Sequence, residues 1–152
     1  MENLKKFIRQ FRDIQPKFSR LYSQMLGNAG LTPPQYALLM ELIHQAPEPM
    51  SMTAVSRKLY ISKPAVTGLV DRLEKRRLVK RLSQPGDRRI ALLQIQPAGK
   101  KMAEQMQEHI LTLMLRTVRQ FTEKERLTIQ RFYSVLSGNV DETLLSTKRA
   151  RR

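Results

Sequence analysis

Hydrophobic residues in the middle of the chain recur at helical spacing in two consecutive segments. The first segment predicts a short helix over 54–60 that buries Val55 and Leu59, with Thr53 as its N-cap. The second begins after Ser62, and its apolar positions fall on one helix face. These positions are Val66, Leu69, Val70 and Leu73. Two short helices joined by a tight turn are typical of a helix-turn-helix.

The pattern changes to that of strands directly after the second helix. Residues 78–82 and 90–95 are rich in Leu, Ile and Val, which favours strands. The polar residues 83–89 between them include Pro85-Gly86 and predict a hairpin loop with a basic tip. A helix-turn-helix followed by such a hairpin, or wing, places its second helix in the major groove of DNA and its wing beside it.

Amphipathic helices precede and follow this central unit. Residues 3–27 carry apolar side chains at intervals of three and four, although Pro16 predicts a kink or break near 12–16. Thr32 precedes two prolines and is the predicted N-cap of another helix, whose buried face includes Leu38, Leu39, Leu42 and Ile43.

A helical pattern after Pro97 continues to about residue 119. Thr122 and Glu125 then form a capping-box sequence for a last helix, which we expect to end or bend at residues 137–139. The expected fold is mainly α with a small β wing. It comprises an N-terminal dimerisation helix (1–30), a winged helix-turn-helix lobe (31–96), C-terminal dimerisation helices (97–145) and a basic tail (146–152).

Charge is distributed unevenly along the chain. The formal net charge is +15, and residues 57–89 hold eleven Lys or Arg and three acids, a net +8. Such a field favours polyanions, namely DNA, RNA or an acidic membrane. Because the excess falls on the predicted helix-turn-helix and wing, it favours nucleic acid.

Other chemistries have little support in the sequence. The chain has no cysteine, which excludes disulfides and thiolate metal sites. Its acids are scattered and it has no Gly-rich phosphate loop, so we expect neither catalysis nor a cofactor nor a metal site. No apolar run approaches the roughly 18 residues that span a bilayer, so we expect a cytoplasmic protein without a membrane partner.

The exposed side of the second helix of the pair carries the candidate base contacts. Lys63 suits guanine acceptors, Thr67 suits a base edge or a thymine methyl, and Gly68 would allow close approach of the backbone. Phosphate contacts are expected near the helix ends, and Arg88 or Arg89 at the wing tip suits a narrow minor groove, with Asp87 orienting an arginine. The candidate DNA-binding residues are Ser51, Arg57, Ser62, Lys63, Pro64, Ala65, Thr67, Gly68, Arg72, Arg77, Asp87, Arg88 and Arg89.

The order of elements and several segments resemble the MarR/SlyA family of winged-helix regulators. LTPPQYALL (31–39) is similar to the start of that family's second helix, and SKPAVTGLVDRLE (62–74) to its recognition helix. DRR (87–89) is similar to its wing tip and FTEKE (121–125) to the start of its final helix. The resemblance covers nearly the whole chain.

The resemblance implies a homodimer formed by the terminal helices, repression of nearby genes, and release by a small hydrophobic or phenolic ligand. Tyr22, Tyr36 and His44 would supply polar groups to the ligand pocket, and Arg89 would be the inserting wing residue. Where the family has Gly after the recognition helix, this chain has Arg77. Either that helix ends differently, or the added charge offsets the strain by contacting phosphate.

The sequence leaves two binding functions open. The first is a dimeric, sequence-specific regulator of transcription on a pseudo-palindromic DNA site. The second is an architectural or single-strand nucleic-acid binder that uses charge without sequence choice. A regulator should prefer its own site over random duplex by at least ~10³-fold, which separates the two.

Overall fold

The computed structural model describes residues 2–84 and 86–150, apart from the side chains of residues 88, 89 and 148–150. In chain order the elements are α1 (Glu2–Asn28), α2 (Pro33–Gln45), β1 (Met50–Ser51), α3 (Met52–Lys58), α4 (Lys63–Lys75), β2 (Val79–Gln84), β3 (Asp87–Ile95), α5 (Pro97–Val118) and α6 (Glu123–Ala150). The described residues are mainly helical with one small antiparallel sheet, which confirms the expected winged helix-turn-helix fold.

The chain divides into two compact units, one extending as far as Met106 and the other from Gln107 onward. In the first unit, apolar faces of α2, α3 and α4 pack with the sheet and with the last turns of α1. The largest fully buried side chains there are Leu26, Leu38, Leu39, Leu73, Leu93, Val55, Val66, Val70 and Val79. This core fixes the position of the helix-turn-helix.

The sheet has the order β1-β3-β2, so the wing hairpin gains a third, short strand. Met50 pairs with Leu93 and Ser51 with Leu92. The sequence did not reveal β1, because two residues are too few to show a period. The hairpin is also tighter than predicted, since residues 83–84 and 87–89 lie in strands and Gly86 turns between them at φ +87°.

Of the two outcomes expected near residues 12–16, helix α1 corrects the break, whereas a kink there stays a prediction. The helix continues through Pro16 without interruption from Glu2 to Asn28. Proline removes only one backbone hydrogen bond, and the bonds on either side keep the helix continuous. Residues 2–20 are exposed, whereas Leu26 is fully buried, so α1 is held to the first unit by its C-terminal turns.

The helix starts agree with the sequence except at α3. At α2 the Thr32 N–H donates to the Gln35 side chain at 2.8 Å, as in a capping box. At α3 the predicted cap, Thr53, is wrong. Ser51 caps that helix, because its Oγ accepts from the Ala54 N–H at 3.1 Å. The helix therefore begins at Met52 rather than at residue 54.

Helix α5 begins in close contact with the residue that precedes the wing. The Leu78 carbonyl accepts from the Gln96 N–H at 2.9 Å. A Cβ added to Gly99 would lie 2.2 Å from the Leu78 carbonyl oxygen, far inside van der Waals contact. Glycine at this position therefore allows α5 to pack against the lobe.

From Gln107 onward the chain contains the rest of α5 and α6. Glu125 accepts from the N–H of Thr122 at 2.8 Å, and the Thr122 hydroxyl accepts in return at 3.4 Å, which confirms the predicted capping box. The helix does not end at residues 137–139, because a single glycine costs a helix only about 1 kcal/mol. The predicted basic tail continues α6 to Ala150, and residues 151–152 lie outside the described residues. Within the described ranges, no helix is both long and apolar enough to cross a membrane.

Candidate nucleic-acid interface

Helix α4 separates a buried apolar face from an exposed polar face. Val66, Val70 and Leu73 are fully buried and Leu69 is 6% exposed, as the spacing predicted. Burying each of these side chains contributes about 1.5–3 kcal/mol, which fixes the rotation of the helix. The predicted DNA-facing residues therefore lie on the other side. Lys63, Pro64, Ala65, Thr67 and Arg72 are exposed and Gly68 is half-buried.

Two predicted DNA-binding residues, Ser51 and Ser62, are the N-caps of α3 and α4. Ser51 Oγ accepts from Ala54, and Ser62 Oγ accepts from the Ala65 N–H at 3.4 Å. Each cap uses a lone pair of the hydroxyl oxygen and leaves its O–H group as a donor. Capping therefore orients both hydroxyls while each keeps a proton for a phosphate oxygen.

A concavity of about 280 Å³ brings three of the predicted residues together. Ser51, Lys63 and Thr67 line it, together with residues that were not predicted to bind DNA. Those additional residues are Met52, Thr53, Ile90 and Ala91. The start of α3, the first turns of α4 and the central strand of the wing thus share one surface.

Thr67 has part of its hydrogen-bonding capacity occupied. Its hydroxyl donates to the Lys63 carbonyl at 3.1 Å, one turn earlier in α4. The oxygen lone pairs and the methyl group remain available for an outside partner. In this rotamer Thr67 can accept a hydrogen bond or touch an apolar group, but it cannot donate to a base.

Gly68 lies beside the Arg72 side chain. A Cβ at residue 68 would be 3.9 Å from Arg72 Nη2, an ordinary contact distance. Sterics within the lobe therefore do not require glycine there. The expected close approach to DNA stays a prediction.

Arg77 adopts the left-handed conformation, with φ +58°. Its N–H donates to the Glu74 carbonyl at 2.8 Å, and the Leu78 N–H donates to the Leu73 carbonyl at 2.9 Å. These two bonds form a Schellman motif, the usual helix end with Gly at this position. The alternative that the helix ends differently is therefore wrong, and Arg77 carries the strain of a non-glycine residue.

The turn between α3 and α4 repeats this geometry at Tyr60, which has φ +54°. Its N–H donates to the Arg57 carbonyl at 3.3 Å, and the Ile61 N–H donates to the Ser56 carbonyl at 3.2 Å. Sequence reasoning missed the left-handed Tyr60, because glycine is the usual marker of this conformation. Arg57 is exposed in the last turn of α3 and does not line the concavity.

Arg81 in β2 joins the wing to α4, a role that sequence reasoning missed. Its guanidinium donates to Asp71 at 2.5 Å and to Glu74, and its backbone N–H donates to Glu74 at 3.1 Å. Burial alone lowers the pKa of Arg81, but the bonds to Asp71 and Glu74 outweigh burial and raise it above its usual value. Two of the three acids in the basic stretch are thereby paired with one guanidinium.

The wing tip is described in part. Asp87 is half-buried, at the start of β3 beside the turn at Gly86. The backbones of Arg88 and Arg89 belong to β3, and their side chains lie outside the described residues. The predicted minor-groove contact stays a prediction.

The three candidate ligand residues do not form one cluster. Tyr22 of α1 and Tyr36 of α2 are in edge-to-face contact, with ring centroids 5.6 Å apart. Burial, with the neighbouring Tyr36 as a second cause, raises the pKa of Tyr22 to about 12. His44 lies about two turns further along α2 and is exposed, so it is not part of this pair.

Comparison with known proteins identifies a family. The family model described as "MarR family" matches residues 29–90. The HTH-type transcriptional regulator MhqR of Bacillus subtilis is 30% identical over 101 residues, which are 64% of this chain and 66% of that protein.

Two solved structures resemble this fold over most of its length. A MarR family protein from Bacillus stearothermophilus has a TM-score of 0.76 and 21% identity, covering 92% of this chain and 96% of that one. A point mutant of Staphylococcus aureus MepR, bound to an oligodeoxyribonucleotide, has a TM-score of 0.66 and 19% identity. That match covers 88% of this chain and 97% of the MepR chain. At these sequence identities the structural similarity shows a shared fold and nothing beyond it.

Proposed function

The chain belongs to the MarR family of winged helix-turn-helix transcriptional regulators, and we propose that it is a homodimeric, sequence-specific repressor that binds double-stranded DNA. The observation that supports this most directly is the exposed polar face of α4, held over a fully buried apolar face and beside the wing. The α4 side chains exposed on this face are of the kinds that contact DNA. They lie within residues 57–89, which carry a net charge of +8.

The proposed contacts fall into two groups. Lys63 and Thr67, at the start of α4, read base edges in the major groove, with Lys63 donating to guanine and Thr67 accepting a bond or touching a thymine methyl. Arg72, Arg77 and the capping hydroxyls bind phosphate and set the register without reading sequence. Arg89 enters the minor groove beside the wing.

Exposed apolar residues support the homodimer. One face of α1 carries Leu4, Phe7, Ile8, Phe11, Ile14 and Phe18, each 40–62% exposed. In the second unit, α6 exposes Leu127, Tyr133, Val135, Val140, Leu144 and Leu145, each 41–61% exposed. Monomeric proteins rarely expose apolar patches of this extent, and burial against a second copy would remove them from water. A two-fold dimer presents two copies of α4, which matches a pseudo-palindromic site.

Sedimentation of a double variant tests the dimer. Replacing Ile8 and Phe11 of α1 with Gln should yield monomers that bind DNA poorly, because both side chains lie on the exposed apolar face. Lys6→Gln, on the opposite face of the helix, is the matched control and should remain dimeric. A dimeric double variant would show that α1 does not form the interface.

Regulation by a small ligand belongs to the same proposal. The Tyr22–Tyr36 pair combines two aromatic rings with two hydroxyl groups, which suits a phenolic or hydrophobic effector. Binding at this pair would release the protein from its site. Removal of both hydroxyls, as Tyr22→Phe with Tyr36→Phe, should weaken the response to the ligand while leaving DNA affinity intact.

Selection of bound duplexes from a random pool tests the function itself. A sequence-specific regulator should enrich an inverted repeat and bind it at least ~10³-fold more tightly than random duplex. Equal binding of all duplexes, or of single strands, would instead identify a non-specific nucleic-acid binder. Repeating the selection with phenolic ligands tests release.

A further inference from the structure

Arg76 connects the end of the recognition helix, α4, to the end of α1. It is the C-cap residue of α4, yet its side chain reaches two carbonyl groups far away in sequence. Nη2 donates to the Ala29 carbonyl at 3.1 Å, and Nη1 donates to the Gly30 carbonyl. Nη2 also lies 3.7 Å from Met102 Sδ, in the second turn of α5.

The chemistry of the α1 terminus explains why an arginine fits there. The last carbonyls of a helix lack intrahelical partners and lie at the negative end of the helix dipole. Gly30 has φ +64° and ends α1 in a Schellman motif, in which the Leu31 N–H donates to the Leu26 carbonyl at 2.9 Å. The Ala29 and Gly30 carbonyls lie beyond that motif, and the forked guanidinium donates to both.

The rest of α1 is a long helix attached to the lobe at its C-terminal end, so a small change of angle there moves its N-terminal end by a large distance. Its C-terminal turns are embedded in the lobe through Leu26, whereas residues 2–20 are exposed. Residue 5 lies about 32 Å from residue 26 along a straight helix. A rotation of about 5° at the attachment would move residue 5 by about 3 Å, close to the roughly 3.4 Å rise of one base pair.

We propose that Arg76 is a positioning residue that fixes the angle between α1 and the recognition helix, and thereby sets which half-site spacing the dimer accepts. The proposal depends on the proposed function, in which α1 joins two copies of the chain on an inverted repeat. Arg76 acts by holding the carbonyls of Ala29 and Gly30, directly after α1, and does not read bases.

A spacing series tests this directly. The selected half-site is placed as inverted repeats whose centres are about 8 to 13 base pairs apart, and affinity is measured for each duplex and for a single half-site. One base pair of change rotates a half-site by about 34° around the DNA axis, so the unchanged protein should lose about tenfold at each neighbouring spacing. For Arg76→Met, which lacks the bonds to the Ala29 and Gly30 carbonyls, this loss should fall to about threefold or less.

Two further variants distinguish loss of the Arg76 bonds to these carbonyls from loss of its charge and from loss of folding. Lys80→Met removes an exposed cation of β2 that has no part in the Arg76 contacts, and it should keep the tenfold selectivity of the unchanged protein. Arg76→Lys keeps the charge but presents a single ammonium in place of the fork, so its selectivity should fall between the two. This variant also decides the question if Arg76→Met does not fold.

The outcomes distinguish failure of this inference from failure of the proposed function. Tenfold selectivity in both Arg76 variants would overturn the positioning role. Loss of affinity for the single half-site would also overturn it, since Arg76 would then be a DNA contact. If the unchanged protein has no preferred spacing, the homodimer on an inverted repeat is wrong, and the positioning role fails with it.

Discussion

Arg77→Gly should raise the stability of this protein while weakening its binding to DNA. Arg77 is held at φ +58° by the Schellman motif that ends α4, and it is exposed on the basic lobe. Glycine adopts this conformation without steric cost, but it carries no charge. The two effects of the arginine, strain in the folded chain and attraction to phosphate, are therefore separable by one substitution.

The size of the stability change follows from two opposing terms. A left-handed non-glycine residue costs roughly 1–2 kcal/mol, which Gly would recover. Gly also gains freedom in the unfolded chain, which offsets about 0.5–1 kcal/mol of that benefit. The expected net gain is about 0.5–1 kcal/mol, or a rise of about 1–4 °C in Tm for a chain of this size.

The expected loss in DNA binding is largest at low salt. One phosphate contact contributes about −0.9 to the slope of log affinity against log salt, so removing Arg77 from both subunits of the proposed dimer should flatten the slope by about 2. Unfolding is followed by circular dichroism at one fixed protein concentration, because dimer stability depends on concentration. Affinity is measured by titrating the selected duplex at several salt concentrations.

Two matched variants identify which term is responsible. Arg77→Lys retains both the charge and the strain and should change neither measurement greatly. Arg77→Asn removes the charge but tolerates the left-handed region, so it should weaken binding without loss of stability. Destabilisation by Arg77→Gly would refute the strain argument, and an unchanged salt slope would show that Arg77 does not contact phosphate.

Other substitutions test the remaining parts of the lobe. Thr67→Ala should relax base preference at one position of each half-site by roughly 1–3 kcal/mol and leave the salt slope nearly unchanged, as titration of single-base variants would show. Arg89→Ala should weaken binding to all related sites and flatten the salt slope by up to about 2 without changing the selected consensus. Asp87→Ala should be a milder form of Arg89→Ala in the same titrations, whereas tighter binding would show that the carboxylate simply repels DNA. Arg81→Met should cost less than about 1 kcal/mol in urea unfolding, because the carboxylates it pairs with are partly exposed, yet it should lower DNA affinity by leaving both unpaired. Gly99→Ala should destabilise by about 1–3 kcal/mol in urea, since its Cβ would overlap a backbone carbonyl.

The predictable features of this protein are those that depend on local patterns. The apolar face of α4, the caps at Ser62, Thr32 and Thr122, and the hairpin all depend on residues close together in sequence, and all were confirmed. The break expected at Pro16 as an alternative to a kink was wrong, because the lost hydrogen bond is one among many in a long helix.

The sequence by itself determined the order of helices and strands, the rotation of the recognition helix and the concentration of positive charge around it. Only the tertiary structure decided which side chains meet across elements. Arg81 pairs with acids seven and ten residues away, and Arg76 holds carbonyls 46 and 47 residues away. Neither pairing leaves a periodic signal in the sequence. The pattern around an exposed arginine is the same whether its side chain contacts solvent, another helix or DNA. The physical reason is that such contacts depend on where the hydrophobic core places the helix ends, and burial of distant residues such as Leu26 and Leu73 fixes those positions.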